Sequence, residues 1–510
     1  MNLLLRIDEM RVLEARARSD LPPGTLMQRA GQGAADWIHA WLQGPVADAP
    51  PPGSIDRSAS VLVLCGPGDN GGDGFVCARA LRRLGHRVSC WAPLPSASAD
   101  AVRARGALTL AGPGAGDPVL TELPRAARFD VVVDAVLGIG AQRPLAPPFL
   151  DALLWVREQR WPVVALDVPS GLNADTGAWI GAVTGAPAQH TITFLADKPG
   201  LHTLEGPQAA GVVHVEDLGV AALRDATDAP GRLNEPARFG ALVRPRRNDS
   251  NKGDYGAVAI VGGAAGMVGA ALLAGRAALR LGAGKVFVDC IGAPQLAVDP
   301  MQPELMFRAE AELPAVDVMV AGCGMGSGAS VADRLGRILE RDGALVLDAD
   351  ALNAVALDAS LAARVAARKG TTVLTPHPGE AARLLATNTR AVQQDRIGSA
   401  LRIAQRLQSV VVLKGAGSVI AEPSGRYTIN PTGGPALATA GTGDVLAGMI
   451  GALLAQNRRR EDLDLCAVLA AVWLHGCAAQ RFGADLGLTA SEVAPLAAQA
   501  LAELRRAAGG

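Results

Sequence analysis

Short apolar runs alternate with helically spaced stretches along the chain. Residues 60–65, Ser-Val-Leu-Val-Leu-Cys, show no polar alternation and so predict a strand buried on both faces, as in a parallel sheet. Further strands are predicted over 86–92, 131–133, 163–166, 192–195 and 212–215, with helices over 25–43 and 75–84. That rhythm is a βα series, which places helices on both faces of the sheet. Between 221 and 239 the pattern stops, and Ala-Thr-Asp-Ala-Pro-Gly-Arg-Leu-Asn-Glu-Pro supplies turn residues without a period.

A second series then begins. Residues 257–261 predict a strand and 267–281 a long helix, and strands recur at 286–289, 316–321, 345–348, 373–374 and 410–413. The segment 440–448, Ala-Gly-Thr-Gly-Asp-Val-Leu-Ala-Gly, opens a helix directly from a glycine turn. No repeat of solenoid period occurs. The expected fold class is α/β in two domains: a Rossmann-like three-layer α/β/α domain over 1–225 and a second α/β domain over 226–510.

Composition narrows the function. Charged residues are 19% and the net charge is −1, which excludes the basic footprint of a nucleic-acid or anionic-membrane binder. Aromatics at 3% are too few for base stacking. No unbroken apolar run reaches the ~18 residues of a membrane span, and the first residues carry acids and no small-residue cleavage site. Seven cysteines form no CxxC pair, so a reduced, cytoplasmic protein is expected. Lysine is rare: Lys198, Lys252, Lys285, Lys369 and Lys414 stand against 43 arginines. Where Arg is the default, a Lys inside a motif hints at a need for a compact ammonium.

Gly66-Pro-Gly-Asp-Asn-Gly-Gly-Asp-Gly74 lies between a predicted strand and a predicted helix. Glycines let the backbone approach a ligand, and a helix start offers free N–H groups. Gly66, Gly68 and Gly71 satisfy the G-x-G-x-x-G dinucleotide spacing, but the next strand lacks the acid that pattern needs at its end. The oxygens of Asp69, Asn70 and Asp73 suit hydroxyl groups or a cation better than a phosphate. Asp134 and Asp167 end two further strands, and Ser170 follows the second. Parallel strands point their carboxyl ends at one crevice, so Asn70, Asp134, Asp167 and Ser170 are expected to converge there as hard oxygen ligands. Taken singly, each Asp also reads as the cap of the next helix or turn.

In the second half, Gly441-Thr-Gly-Asp444 begins a predicted helix. Its N–H groups form an anion hole at the positive end of the helix dipole, and Asp444 is placed to take a proton from a hydroxyl. An isolated GTGD would read as a plain N-cap. Here it accompanies Asn430-Pro-Thr-Gly-Gly-Pro435 and Lys414-Gly-Ala-Gly-Ser418, whose Lys-Gly pair at a strand end suits a nucleotide phosphate. No Walker A sequence occurs, which excludes P-loop chemistry.

These motifs carry a resemblance. GPGDNGGDG, with Leu26-Met-Gln-Arg-Ala-Gly31, Asp134-Ala-Val-Leu-Gly-Ile-Gly140 and Leu166-Asp-Val-Pro-Ser-Gly171, resembles the NAD(P)H-hydrate epimerase domain. The resemblance implies substrate contacts at Asp69, Asn70, Gly71, Gly72, Asp73, Gly138, Ile139, Gly140, Ala141, Gln142, Arg143, Pro144 and Asp167. It also implies a potassium ion at Asn70, Asp134 and Ser170. The family loop usually has Asn where this chain has Asp69, which adds a charge. Which of Asp134 and Asp167 relays protons stays open.

The GTGD group resembles the ribokinase-like fold. Lys252-Gly-Asp-Tyr-Gly256, Gly322-Cys-Gly-Met-Gly326, Leu347-Asp-Ala-Asp-Ala-Leu-Asn353 and Thr375-Pro-His-Pro-Gly-Glu380 narrow this to a resemblance to the ADP-dependent NAD(P)H-hydrate dehydratase. Implied hydrate contacts are Ala270, Gly324, Gly326, His377 and the catalytic Asp444. Implied nucleotide contacts are Lys414, Gly415, Ala416, Gly417, Ser418 and Gly443, with Mg2+ and ADP as co-substrate. His377 also reads as an ordinary turn histidine between prolines, and the roles of Asp348 and Asp350 stay open. Over nearly the whole chain, the resemblance implies a bifunctional repair enzyme acting on hydrated NADH and NADPH (NADHX and NADPHX). It would be a homo-oligomer without nucleic-acid or membrane partners. Two competing readings are a vitamin or sugar-alcohol kinase, and a first domain that binds without catalysing.

Overall fold

The computed structural model describes residues 3–44, 58–109, 119–243, 245–458 and 460–509. The chain forms two compact units, Met1–Gly231 and Arg232–Gly510. In the first, six strands form a parallel sheet in the order Arg87–Trp91, Ser60–Cys65, Val131–Ala135, Val163–Leu166, His190–Phe194, Val212–Glu216. The unbroken apolar run of Ser60–Cys65 is divided by the two-residue period of a strand. Val61, Val63 and Cys65 enter one core with Phe75, Ile38 and Leu13, while Leu62 and Leu64 enter a second with Leu153 and Val156.

Ser60–Cys65 sits between the strand that follows it and Val131–Ala135, so the connections leave in opposite directions at that point. Such a reversal opens a crevice beyond the strand ends. The helix expected from residue 75 begins instead at Asp69 and runs to Arg83. The glycine run is therefore the first helical turns themselves. A Cβ on Gly71 would stand 1.9 Å from the Gly66 carbonyl oxygen, so glycine is what lets the turn wind this tightly. Helix Ile7–Asp20 falls outside the sequence expectation because only Met10, Leu13 and Ala17 are buried, a narrow stripe on a polar segment.

In the second unit the sheet runs Tyr427–Ile429, Val419–Ala421, Val410–Leu413, Thr372–Leu374, Ala344–Leu347, Val318–Ala321, Ala257–Gly262, Lys285–Cys290, Met306–Phe307. Neighbours from Val410–Leu413 onward are parallel, and the first two strands form an antiparallel hairpin. Those hairpin strands have three residues each, too few to leave a period in the sequence. The strand order reverses around Ala257–Gly262, so a second crevice opens there.

Helix Thr442–Gln456 is buried on nearly every side, from Val445 through Ala455, and is accordingly apolar all round. It lies close against Val268–Arg280: a Cβ on Gly448 would stand 2.1 Å from the Ala274 carbonyl oxygen. Helix Asp464–Phe482 is long and apolar enough to cross a membrane, but 61% of its apolar window is buried in the unit. Ala467, Val468, Leu469 and Leu474 belong to the same core as Thr442–Gln456.

Candidate functional sites

The crevice of the first unit is a cavity of ≈ 680 Å³. The start of helix Asp69–Arg83 contributes Asp69, Asn70 and Asp73, and the loop after Val131–Ala135 contributes Gly138, Ile139, Gly140 and Ala141. Asp167 joins them from the end of Val163–Leu166, and Glu14 and Arg18 close one side. Gln142, Arg143 and Pro144 are exposed and do not line this cavity.

Asp134 is fully buried. Its carboxylate accepts from the Ser170 amide at 2.9 Å, the Ser170 hydroxyl at 2.6 Å and the Val136 amide at 3.2 Å. Burial raises its pKa, and these hydrogen bonds oppose the rise. Both polar side-chain atoms of Asn70, which lines the cavity, are buried without a hydrogen-bond partner. An unsatisfied buried amide is costly, which leaves this one available to a ligand in the cavity. A carboxylate, a hydroxyl and a carboxamide are hard oxygen donors of the kind that hold a hard cation.

Asp167 has φ 65°, the left-handed region that Asp and Asn tolerate better than other side chains. Its Oδ2 accepts from the Ile139 amide at 2.8 Å, and its Oδ1 pairs with the Lys198 ammonium at 2.8 Å. Sequence reasoning did not assign Lys198; the available signal was its rarity in an arginine-rich chain. Asp69 is exposed, accepting from Ser98 Oγ at 2.5 Å and pairing with Arg18 at 3.1 Å. Burial first, then the charges of Asp167, Asp69 and Glu14, push Asp73 well above the usual carboxylate range.

In the second unit, Asp444 stands in the first turn of Thr442–Gln456, whose N-cap is Gly441 at φ 90°. Its carboxylate, that of Asp348 and the Cys323 thiol have atoms within 4.8 Å of one another. Burial raises the Asp444 pKa to about 6, with Asp348 adding to the rise and Cys323 and Lys414 opposing it. Asp348 Oδ1 accepts from Lys414 Nζ at 2.7 Å and from Thr375 Oγ1 at 2.7 Å. Burial works against the Lys414 charge, but Asp348 and Glu380 outweigh it and its pKa rises. A Cβ on Gly443 would lie 3.2 Å from Lys414 Nζ, which brings the GTGD turn and the Lys414 loop together.

Gly324 and Ala270 are also adjacent, since a Cβ on Gly324 would stand 3.1 Å from that of Ala270. The Gly326 amide donates to Asp350 at 2.8 Å, which gives Asp350 a loop-shaping partner. His377 is half-exposed and caps helix Pro378–Leu384: Nδ1 accepts from the Gly379 amide at 2.9 Å, and the His377 amide donates to Glu380 at 2.8 Å. Its ring therefore holds the Thr375–Glu380 turn in shape.

Two supports were not foreseen. Arg396 is buried and donates to the carbonyls of Leu413, Lys414 and Gly417, so it shapes the Lys414–Ser418 loop from beneath. His475 Nε2 donates to the Thr442 carbonyl at 2.9 Å, and burial lowers its pKa to about 4, which keeps the ring neutral. Both act on backbone carbonyls, a role that local spacing does not reveal.

Comparison with known proteins follows the same division. A family described as "NAD(P)H-hydrate dehydratase" matches residues 258–501, and "YjeF-related protein N-terminus" matches residues 23–200. The bifunctional NAD(P)H-hydrate repair enzyme of Coxiella burnetii is 35% identical, over 97% of this chain and 98% of that protein. Its Escherichia coli namesake is 37% identical, over 84% of this chain and 81% of that protein. The crystal structure of an ADP/ATP-dependent NAD(P)H-hydrate dehydratase from Bacillus subtilis, co-crystallised with ATP and Mg2+, is 32% identical. It covers 54% of this chain and 98% of its own, with a TM-score of 0.47.

Proposed function

Since the chain belongs to the bifunctional NAD(P)H-hydrate repair enzyme family, we propose a division of labour between its two units. The N-terminal unit interconverts the R and S epimers of NADHX and NADPHX. The C-terminal unit dehydrates the S epimer to NADH or NADPH, converting ADP to AMP and phosphate. The observation that carries the second activity is Asp444, a carboxylate with its pKa raised to about 6, at a helix start beside the Lys414–Asp348 pair.

The hydrate has a hydroxyl on C6 of the nicotinamide ring, and hydroxide is a poor leaving group. Asp444 takes the hydroxyl proton, and the oxygen attacks the terminal phosphoryl group of ADP, releasing AMP. The amides of 441–443 stabilise charge on the transferred group. The ring nitrogen lone pair then expels phosphate, and loss of the C5 proton restores the double bond. Lys414 and the loop to Ser418, with Gly443, hold the nucleotide. Gly324, Gly326, Ala270 and the His377 turn hold the hydrate.

The Asp348 carboxylate, rather than the Cys323 sulfur, would hold magnesium, a hard cation that would supply charge neutralisation for the nucleotide phosphates. Asn70, Asp134 and Ser170 would hold potassium, which would supply a fixed positive charge to the N-terminal unit. Asp69, Asn70, Asp73, the 138–141 loop and Asp167 contact the hydrate there. Between the two candidate proton relays, the cavity lining favours Asp167, because Asp134 is fully buried and spends its oxygens on Ser170 and Val136.

The test supplies a mixture of both NADHX epimers with Mg2+, K+ and ADP and follows reduced-nicotinamide absorbance. Recovery of nearly all the hydrate is expected. Recovery that stops at the S fraction removes the epimerase, and accumulation of a stable phosphorylated product removes the dehydratase.

A further inference from the structure

Lys198 is fully enclosed. Its ammonium donates to Thr193 Oγ1 at 2.6 Å and to the Phe194 carbonyl at 2.9 Å, and it pairs with Asp167 Oδ1 at 2.8 Å. Three partners use all three of its donors. An apolar side chain of similar volume fills such a space without desolvating a charge, so a buried ion pair facing a cavity calls for a functional reading. Asp167 is fixed from other directions too. Its backbone is left-handed, its Oδ2 takes the Ile139 amide, and a Cβ on Gly138 would come within 2.4 Å of that oxygen.

Asp73 faces the same cavity in the opposite electrostatic setting. Asp69 on its own helix, Glu14 on Ile7–Asp20 and Asp167 at the strand end all repel its charge. Arg18 is the cation that opposes them, and it is already engaged by Glu14 at 2.6 Å and Asp69 at 3.1 Å. One carboxyl of the cavity is thus matched by an ammonium, and the other is crowded by acids. Two carboxyls whose surroundings differ in this way are suited to opposite proton-transfer roles.

We infer that Asp73 is the proton donor and Asp167 the proton acceptor of the epimerisation, and that Lys198 is the positioning residue that holds the Asp167 carboxyl in place at the cavity. The inference rests on the proposed epimerase reading. Asp73 gives its proton to the C6 oxygen of the hydrate. The C6–O bond breaks with its electron pair leaving on water, and the ring nitrogen lone pair forms the C=N bond of an iminium. Water then adds to the other face of C6, the C=N pair returns to nitrogen, and the Asp167 carboxylate takes the proton released by that water. The proton passes back to Asp73 through solvent, and no redox partner is needed.

The experiment uses the full-length protein without ADP, so that the dehydratase is idle. It starts from one purified epimer and follows the epimer ratio by chromatography from about pH 5 to about pH 9. Asp73→Asn is expected to lower kcat by about 100-fold or more, with KM within about threefold. Asp167→Asn, which keeps both size and left-handed tolerance, is expected to do the same. Lys198→Met, which removes the ammonium that fixes Asp167 Oδ1, is expected to lower kcat by about 10-fold or more with KM within about threefold. Asp73→Asn within about threefold of wild type overturns the donor role. Lys198→Met with kcat within about threefold of wild type overturns the positioning role, and if that variant does not fold, Asp73→Asn and Asp167→Asn decide the pair. A wild-type chain that leaves the epimer ratio unchanged instead overturns the epimerase reading itself.

Discussion

Asp444 combines position with a tuned charge. Its raised pKa of about 6 means that the carboxylate, the form that accepts a proton, predominates above that pH and is lost below it. Dehydration of the S epimer is therefore expected to decline as pH falls through about 6, measured as initial rates of NADH recovery with saturating ADP. Asp444→Asn is expected to lower kcat by about 100-fold or more while ADP binding by calorimetry stays within a few fold. Gly138 offers a steric test in the other unit. Gly138→Ala places a Cβ 2.4 Å from Asp167 Oδ2, so epimerisation is expected to fall while dehydration of purified S epimer is unchanged. The meeting of Asp134 with Ser170, and of Asn70 with Asp167 in one cavity, was legible in the sequence because strand-end residues of a parallel sheet face one crevice. Lys198 was barely legible: its partner Asp167 is distant in sequence, and only its rarity in an arginine-rich chain marks it.

At the scale of elements, the strands were the readable part. Apolar runs without alternation mark buried parallel strands, and most of those expected are present within one or two residues. Polar or short pieces were harder to read, as Ile7–Asp20 and the Val419–Ile429 hairpin show. The helix start over 69–74 is not legible in its glycines, because its winding depends on contacts such as Gly71 against Gly66. Close approach also sets the catalytic helix of the second unit. Gly448→Ala drives a methyl group toward the Ala274 carbonyl oxygen, and the expected outcome is a loss of about 1–3 kcal/mol in denaturant unfolding. Arg396→Met leaves the carbonyls of the 414–418 loop without their donor, so a raised KM for ADP is expected with little change in kcat at saturation.

At the scale of the whole molecule, each unit contains its own cores and its own strand-order reversal. A fragment of residues 232–510 is accordingly expected to recover only the S portion of an epimer mixture, with the remainder recovered on adding residues 1–231. The distribution of lysines has a practical consequence. Lys198 is enclosed and Lys414 is locked to Asp348, whereas Lys252, Lys285 and Lys369 are exposed. Amine-directed acylation, whether by a coupling reagent or by a reactive metabolite, thus meets three side chains that belong to neither catalytic cluster. Tethering the enzyme to a surface through these amines is therefore expected to leave turnover intact.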